Sequence, residues 1–237
     1  MKIKRFLIFL AIIILLIDLA YFYPKLTGTG KAVYEIKTAN LTRAIDGDTI
    51  ETDIGIIRLL GINTPEKKQA YYEEAKEFLK KYEGKQVEIE IHDKDKYNRT
   101  LGYIYFNNIL LNKEILQEGL ANLYVYDKDK NYEELKKAEQ EARQKEKGIW
   151  KKSENYGCLE IVELKYVEEK RCNNQEQLVL KNKCEKMDVT LKDSANHIYK
   201  ISLEKGLFEK NFSCVWNDDG DVLIIRDNGG LVGYYAY

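Results

Sequence analysis

RAIDGDTIETDIGIIRLLGINTPE, residues 43–66, sets short runs of alternating apolar and polar residues between turn formers. Asp46-Gly47 and Asp53–Gly55 mark the turns, and the runs around them have the period of two expected of half-buried strands. The same stretch carries Asp46, Asp48, Asn63 and Glu66 together with Arg58. Carboxylates and a guanidinium that converge on one spot make a site for a metal ion and a phosphate. Arg58 sits in an otherwise apolar run, and a buried arginine demands a partner.

The pattern continues on both sides. VYEIKTANLTRAI before it, and QVEIEIHD and RTLGYIYFNN after it, are further strands, the last ending in an Asn-Asn turn. PEKKQAYYEEAKEFLKKYEGK (65–85) has the spacing of an amphipathic helix, with Thr64 as N-cap, Pro65 first, Glu66 in the first turn and Gly84 as the stop. ILLNKEILQEGLA starts a short helix, and NYEELKKAEQEARQKEKGIW gives another, with Leu135, Ala138 and Ala142 on one face. Five strands with helices packed on one end predict a mainly β domain with some α, an OB-type barrel, over residues 33–152. His92 is expected to point outward from its strand.

After Trp150 no helical period appears. CLEIVELKYV, EQLVLKNK, DVTLKD, HIYKIS, DVLIIRD and LVGYYAY are six short alternating runs between turns, the pattern of a β-sandwich over residues 157–237.

The first 32 residues form a separate segment. MKIKR is positive, Phe6–Ile17 is wholly apolar, and Tyr21–Tyr23 is aromatic. From Phe6 to Tyr23 a helix would reach roughly 27 Å, enough to cross a bilayer. The basic residues would hold the N-terminus inside and put the rest of the chain outside. The competing reading is a cleaved signal peptide; no good A-x-A site follows the apolar run, so a transmembrane anchor is favoured. Either way the chain is exported to the cell membrane or beyond. The charge is mixed, 32% charged residues with a net charge of -1, so no global basic field points to nucleic acid. Asn40, Asn98 and Asn211 each open an N-x-[ST] sequon.

IDGDT (45–49), IRLLGINTPE (57–66), DKYNRTLGYIY (95–105), LYVY (123–126) and KEKGIW (145–150) follow one another over nearly the whole first domain. In that order they resemble the thermonuclease, or staphylococcal nuclease-like, family. The resemblance implies Ca²⁺-dependent cleavage of DNA and RNA that leaves 3′-phosphates. It implies a calcium site at Asp48, Asn63 and the backbone carbonyl of Thr64, and a proposed general base at Glu66. Arg58 and Arg99 match the phosphate-clamping arginines. Lys96 and Tyr97 match positions near the nucleotide's phosphate, and Tyr124 and Tyr126 the aromatics beside base and phosphate. Asn63 departs from the family's more common Asp; the lost charge predicts weaker calcium binding. The segment between Glu66 and Gly84 is also shorter than in the best-known members.

Each residue has a plainer reading. Asp46 and Asp48 suit a turn around Gly47, Glu66 complements a helix dipole, Arg99 is a surface cation, and the tyrosines pack on a strand face. Asp48, Arg58, Glu66 and Arg99 occurring together favour catalysis. The alternative is a non-catalytic surface module that binds nucleic acid or protein, and Asn63 favours it.

LKD (191–193), WNDDGDVLIIRDNGGLV (216–232) and the closing YYAY resemble the lamin-tail domain family, an immunoglobulin-like sandwich. Such a domain offers a cell-surface ligand or partner as a further contact. NDDGD (217–221) is read as a turn in preference to a Ca²⁺ loop. Cys158, Cys172, Cys184 and Cys214 are an even set in an exported chain and predict two disulfides. Zinc is the rival, but there is no C-x-x-C. Of three connectivities, Cys184–Cys214 with Cys158–Cys172 is the expectation.

Overall fold

The computed structural model describes residues 34–125, 128–165, 176–195, 197–213, 215–216 and 221–236. The expected membrane segment, Tyr126, Cys172, Cys214 and residues 217–220 lie outside them. No helix among the described residues is long and apolar enough to cross a membrane.

The first half is a closed barrel of five strands. β1 (Glu35–Ala44), β2 (Thr49–Thr52) and β3 (Gly55–Leu59) form an antiparallel meander, and β5 (Gln86–Lys94) and β6 (Thr100–Phe106) a hairpin beside β1. Parallel pairing of β3 with β6, Arg58 opposite Leu101, closes the ring. Closure removes the exposed sheet edges, as in an OB-type fold. Three short strands complete this half: β4 (Ile62–Asn63) pairs with β8 (Asn122–Leu123), and β7 (Ile109–Leu110) extends β6. Asn107 and Asn108 both adopt positive φ in the β6–β7 turn, a conformation asparagine tolerates.

Inward residues such as Leu41, Ile50, Ile57, Leu59, Ile89 and Ile104 fill the barrel. Helices α1 (Tyr72–Lys80), α2 (Leu111–Gln117) and α3 (Tyr132–Gln144) add Phe78, Leu79, Ile115, Leu116 and Leu135 to the same core. Gly119 and Gly148 cross at a distance only glycine allows. A Cβ on Gly148 would stand 2.1 Å from the Gly119 carbonyl, which accepts a hydrogen bond from Ile149 N.

The helix expected from Pro65 begins only at Tyr72. Thr64 is not its cap: its backbone N–H and hydroxyl both donate to Asp48. Gln69 and Glu66 bond each other across a tight turn, and Lys68 and Tyr71 take positive φ, which no helix accommodates. Glu66 therefore sits on a turn, not in a helix.

The second half has two sheets. β9 (Leu159–Lys165), β10 (Glu176–Asn182) and β13 (Gly206–Phe212) form one, in the order β13-β10-β9. β11 (Met187–Lys192), β12 (Ile198–Leu203), β14 (Val222–Arg226) and β15 (Leu231–Ala236) form the other, in the order β12-β11-β14-β15. Leu178, Leu180, Val189, Leu191, Leu223 and Val232 share their core with Phe212 and Trp216, whose rings meet edge to face at 4.8 Å. Strand β13 was not among the six expected runs. Its Leu207 is 73% exposed and its charged residues interrupt the apolar signal, so only pairing with β10 defines it.

Cys158 is bonded to Cys184, Cα atoms 5.5 Å apart, which corrects both expected pairings. Register explains the choice: Leu159 of β9 lies opposite Asn182 of β10, so the two cysteines flank the last rung.

A separate apolar cluster joins the halves. Ala142, Ile149 and Trp150 pack against Ile224 and Leu231. Trp150 meets Tyr234 edge to face at 5.7 Å, and the Arg143 guanidinium lies 4.0 Å from the Tyr234 ring centre. Arg226 donates to the Ile149 carbonyl. Asp227 accepts from Ser153 Oγ and Asn155 Nδ2 at 2.8 and 2.9 Å.

Candidate active site

Asp48, Arg58, Asn63 and Thr64 converge where β2, β3 and β4 meet. Gly47 makes this possible: a Cβ there would stand 2.6 Å from Ala75 Cβ and 2.8 Å from Thr64 Oγ1. Asp48 Oδ2 accepts from Thr64 N and Thr64 Oγ1 at 2.9 and 3.0 Å. Asp48 Oδ1 faces Arg58 Nε at 3.1 Å and the Thr49 hydroxyl at 3.1 Å. These four contacts occupy the lone-pair directions of one carboxylate. Arg58 also donates to the Leu59 carbonyl and reaches Asn63 Oδ1 at 3.4 Å. The buried-partner rule for Arg58 is thus met by Asp48.

Asp46 belongs to the group as well. Its carboxylate accepts from Asp48 N at 3.1 Å. Burial, and then the neighbouring Asp48 charge, push its carboxyl above the usual carboxylate range.

Glu66 is exposed beside this group, on the turn it shares with Gln69. Arg99 immediately precedes β6, in which Leu101 is the ladder partner of Arg58. Its Nε is 2.6 Å from Asp95 Oδ2. Partial burial opposes ionisation of Asp95, but hydrogen bonds from Arg99 and the Tyr97 amide outweigh it and hold the carboxyl low. Lys96 and Arg99 both lie over the ring of Tyr97, which is 69% exposed. Tyr124 is half-buried after β8 and donates its backbone N–H to Gly61. Asn98, in the same loop as Arg99, has positive φ and accepts from Lys94 Nζ.

His92 is not the outward residue expected. It is largely buried and lies 2.8 Å from Glu90, which also holds Lys130 Nζ at 2.6 Å. Glu90 and His92 belong to β5, and Lys130 lies just before α3.

The oxygen donors of Asp46, Asp48, Asn63 and Thr64, with no thiolate or imidazole among them, fit a hard cation such as Ca²⁺. No group of three His, Cys, Asp or Glu residues forms a cage among the described residues. The set is largely buried and low in charge, and it leaves several of the roughly six to eight oxygens that Ca²⁺ takes to be supplied by water and substrate.

Sequence reasoning missed one side of the site. Asn63 Nδ2 donates to the backbone carbonyls of Ser194 and Ala195 in the sandwich. Its β-ladder partner Asn122 donates to Ser194 O at 2.9 Å and accepts from Lys192 Nζ at 3.1 Å. Burial lowers the Lys192 ammonium to about 8, although Asp193, Asp48 and Glu66 draw it back up. Lys192, Ser194 and Ala195 lie more than 120 positions from Asn63, and nothing local in the sequence points to the contact.

A closed barrel with a buried Asp48–Arg58 pair and an exposed glutamate on the next turn offers oxygen ligands and a cation of the kind that phosphate chemistry uses. The comparisons are specific. A family model described as staphylococcal nuclease homologue matches residues 56–152. The chain is 33% identical over 128 residues to thermonuclease from Staphylococcus hyicus, covering 48% of this chain and 76% of that protein. It is 38% identical over 135 residues to SPbeta prophage-derived endonuclease YokF from Bacillus subtilis, covering 50% of this chain and 46% of that protein. Staphylococcal-like nuclease CAN1 from Arabidopsis thaliana is 46% identical over 99 residues, 41% of this chain and 30% of that protein. The chain belongs to the staphylococcal nuclease homologue family. It spans less than half the length of the last two relatives.

Proposed function

We propose that this chain is an exported or membrane-anchored, Ca²⁺-dependent nuclease that hydrolyses phosphodiester bonds in DNA and RNA and leaves 3′-phosphates. The observation that carries the reading is the convergence of Asp48, Arg58, Asn63 and Thr64 on one spot, with Glu66 exposed on the adjoining turn. Family membership and the names of the thermonuclease and endonuclease relatives support it.

Asp48, Asn63 and the Thr64 carbonyl would hold the ion, with Asp46 beside them. Bound calcium supplies a Lewis acid that neutralises phosphate charge. Arg58, held on Asp48 through Nε, would turn its fork to the phosphate, where two N–H groups can bond two oxygens at once. Arg99 would leave Asp95 in the same way, so that two cations meet the phosphate. Glu66, exposed on the adjoining turn, takes the proton of the attacking water. Tyr97 and Tyr124 offer faces on which any base stacks, which suits cleavage without sequence preference.

Export is supported by the basic and apolar start of the chain and by the Cys158–Cys184 bond, since disulfides persist outside the reducing cytosol. The two-sheet build of the second half supports its likeness to lamin-tail sandwiches, with a surface ligand as its partner.

Digestion of DNA and of RNA by the full chain, with calcium restored or chelated, tests the proposal. Cleavage only with calcium, giving ends that a polymerase extends only after phosphatase treatment, is expected. Cleavage indifferent to chelation, or directly extendable ends, would contradict the calcium and 3′-phosphate assignments.

A further inference from the structure

Residues 63–71 carry the Asn63 and Thr64 ligands and Glu66, and the sandwich grips both ends of the segment. At the first end Asn63 Nδ2 donates to the Ser194 and Ala195 carbonyls. Ser194 is itself tied down, its N–H donating to Asp221 Oδ1 at 3.1 Å. At the other end Tyr71 packs on the apolar cluster that Ile224 and Leu231 form with Trp150. The Arg226 guanidinium, which donates to the Ile149 carbonyl, lies 5.8 Å from the centre of the Tyr71 ring. Asp221 immediately precedes β14 and Arg226 ends it. That strand has ladder partners on both sides, β11 and β15, so one central strand connects the two grips.

What lies between the grips needs holding. Glu66, Lys67 and Lys68 are exposed, and the helix starts only at Tyr72. Lys68 and Tyr71 have φ of 76° and 69°. A bulky residue keeps that left-handed conformation where its surroundings impose it. For Tyr71 those surroundings include the sandwich cluster and Arg226. Tyr71 in turn sets how the chain enters α1, its carbonyl accepting the first helical hydrogen bond from Ala75 N at 3.0 Å. With both ends held, the Glu66 carboxylate keeps its place relative to Asn63 and Thr64.

We propose that the sandwich is a positioning element of the active site and that Arg226 is a positioning residue for Glu66. The inference rests on the nuclease reading and adds to it a part for the second half of the chain in turnover. Arg226 acts through Tyr71 rather than on substrate or ion. Loss of its grip frees the Glu66 end of the segment and leaves Asn63 on its two carbonyls. The turnover number therefore falls while calcium and substrate still bind.

The test compares the full chain, in mild detergent, with Arg226→Gln, Arg226→Lys and Leu180→Val. Leu180 is buried in the sandwich core on the other sheet, and its variant controls for lost stability. Rates are read well below all four melting temperatures. Arg226→Gln should lower kcat by at least about tenfold, with KM and the calcium concentration for half-maximal rate within about threefold of the parent. Hydrogen exchange over residues 66–72 should be at least about tenfold faster in that variant and unchanged in Leu180→Val. Arg226→Lys, which keeps a cation for the ring and a donor for Ile149, should restore kcat to within about threefold. Exchange in the unaltered chain needs no variant: the Gln69 and Tyr72 amides should exchange at least about a hundredfold more slowly than in a free peptide, although the turn is exposed. The parent's kcat in Arg226→Gln, an equal loss in Leu180→Val, a loss confined to KM, or Gln69 and Tyr72 amides exchanging at the free-peptide rate would each overturn the inference and leave the nuclease reading standing. A folded parent that does not cut would remove the nuclease reading, and this inference with it.

Discussion

Asn63 does two jobs that an aspartate could not do together. Its amide nitrogen faces the Ser194 and Ala195 carbonyls, and its oxygen faces Arg58 and the prospective cation. The departure from the family's common residue, which the sequence presents only as a lost charge, thus has a structural reason. A carboxylate there would turn lone pairs toward two carbonyls in a buried place. Asn63→Asp should lower stability by about 1–3 kcal/mol, because buried acceptors lose their donor. It should also bind calcium more tightly than the parent, because the site gains a charge. Denaturant unfolding and calcium titration calorimetry measure the two effects. A variant as stable as the parent would contradict the role assigned to the amide.

At the scale of elements, the turn between β4 and α1 matters most. Sequence periodicity predicted a helix from Pro65, and the apolar spacing from Ala75 to Leu79 does belong to one. The first turn was misread because Thr-Pro-Glu is also a good N-terminal signal; what wins is the demand of Asp48 for the Thr64 donors. Gly47 permits that approach. Gly47→Ala would force its new Cβ onto Ala75 and Thr64, and the expected cost is about 1–3 kcal/mol of overpacking, with activity lost further than stability. Thermal melting set beside initial cleavage rates checks this; equal losses in Gly47→Ala and in a remote destabilised control would contradict it. A second element-scale prediction concerns the clamp at Asp227. Partial burial disfavours its charge, but hydrogen bonds from Asn155, Ser153, Gly229 and Gly230 prevail and hold the carboxyl below its usual value of 3.8. The sign follows: a depressed folded value adds stability that is full above the unfolded value and is lost as pH falls through the folded one. Acid below about pH 4 should therefore loosen the contact between the 153–155 turn and the β14–β15 turn, and Asp227→Asn should remove this acid sensitivity. Hydrogen exchange at those turns reads it, and an unchanged acid response in Asp227→Asn would contradict the assignment.

At the scale of the molecule, the barrel was legible because its signals are local. Alternating runs, Asp-Gly and Asn-Asn turns and the apolar faces of α2 and α3 each lie within a dozen or so residues. Asp48, Arg58, Asn63, Thr64 and Glu66 were legible for the same reason: they fall within one short stretch, and the fold keeps them together. What was not legible is long-range. The Cys158–Cys184 bond follows from the β9–β10 register, which no spacing rule gives. Strand β13 exists through its pairing with β10. The sandwich side of the site depends on how two separately patterned halves pack, through Trp150, Ile224, Leu231 and the Asn63–Ser194 contact. The central claim is that this assembly cuts nucleic acid with Glu66 as the base. The most direct measurement is the cleavage rate of the full chain and of Glu66→Gln in saturating calcium, alongside their melting temperatures. The account predicts a loss of about 10²–10⁴-fold in rate with little change in melting temperature, since Glu66 is exposed on a turn. A Glu66→Gln chain that cuts as fast as the parent, or a well-folded parent that does not cut at all, would contradict it.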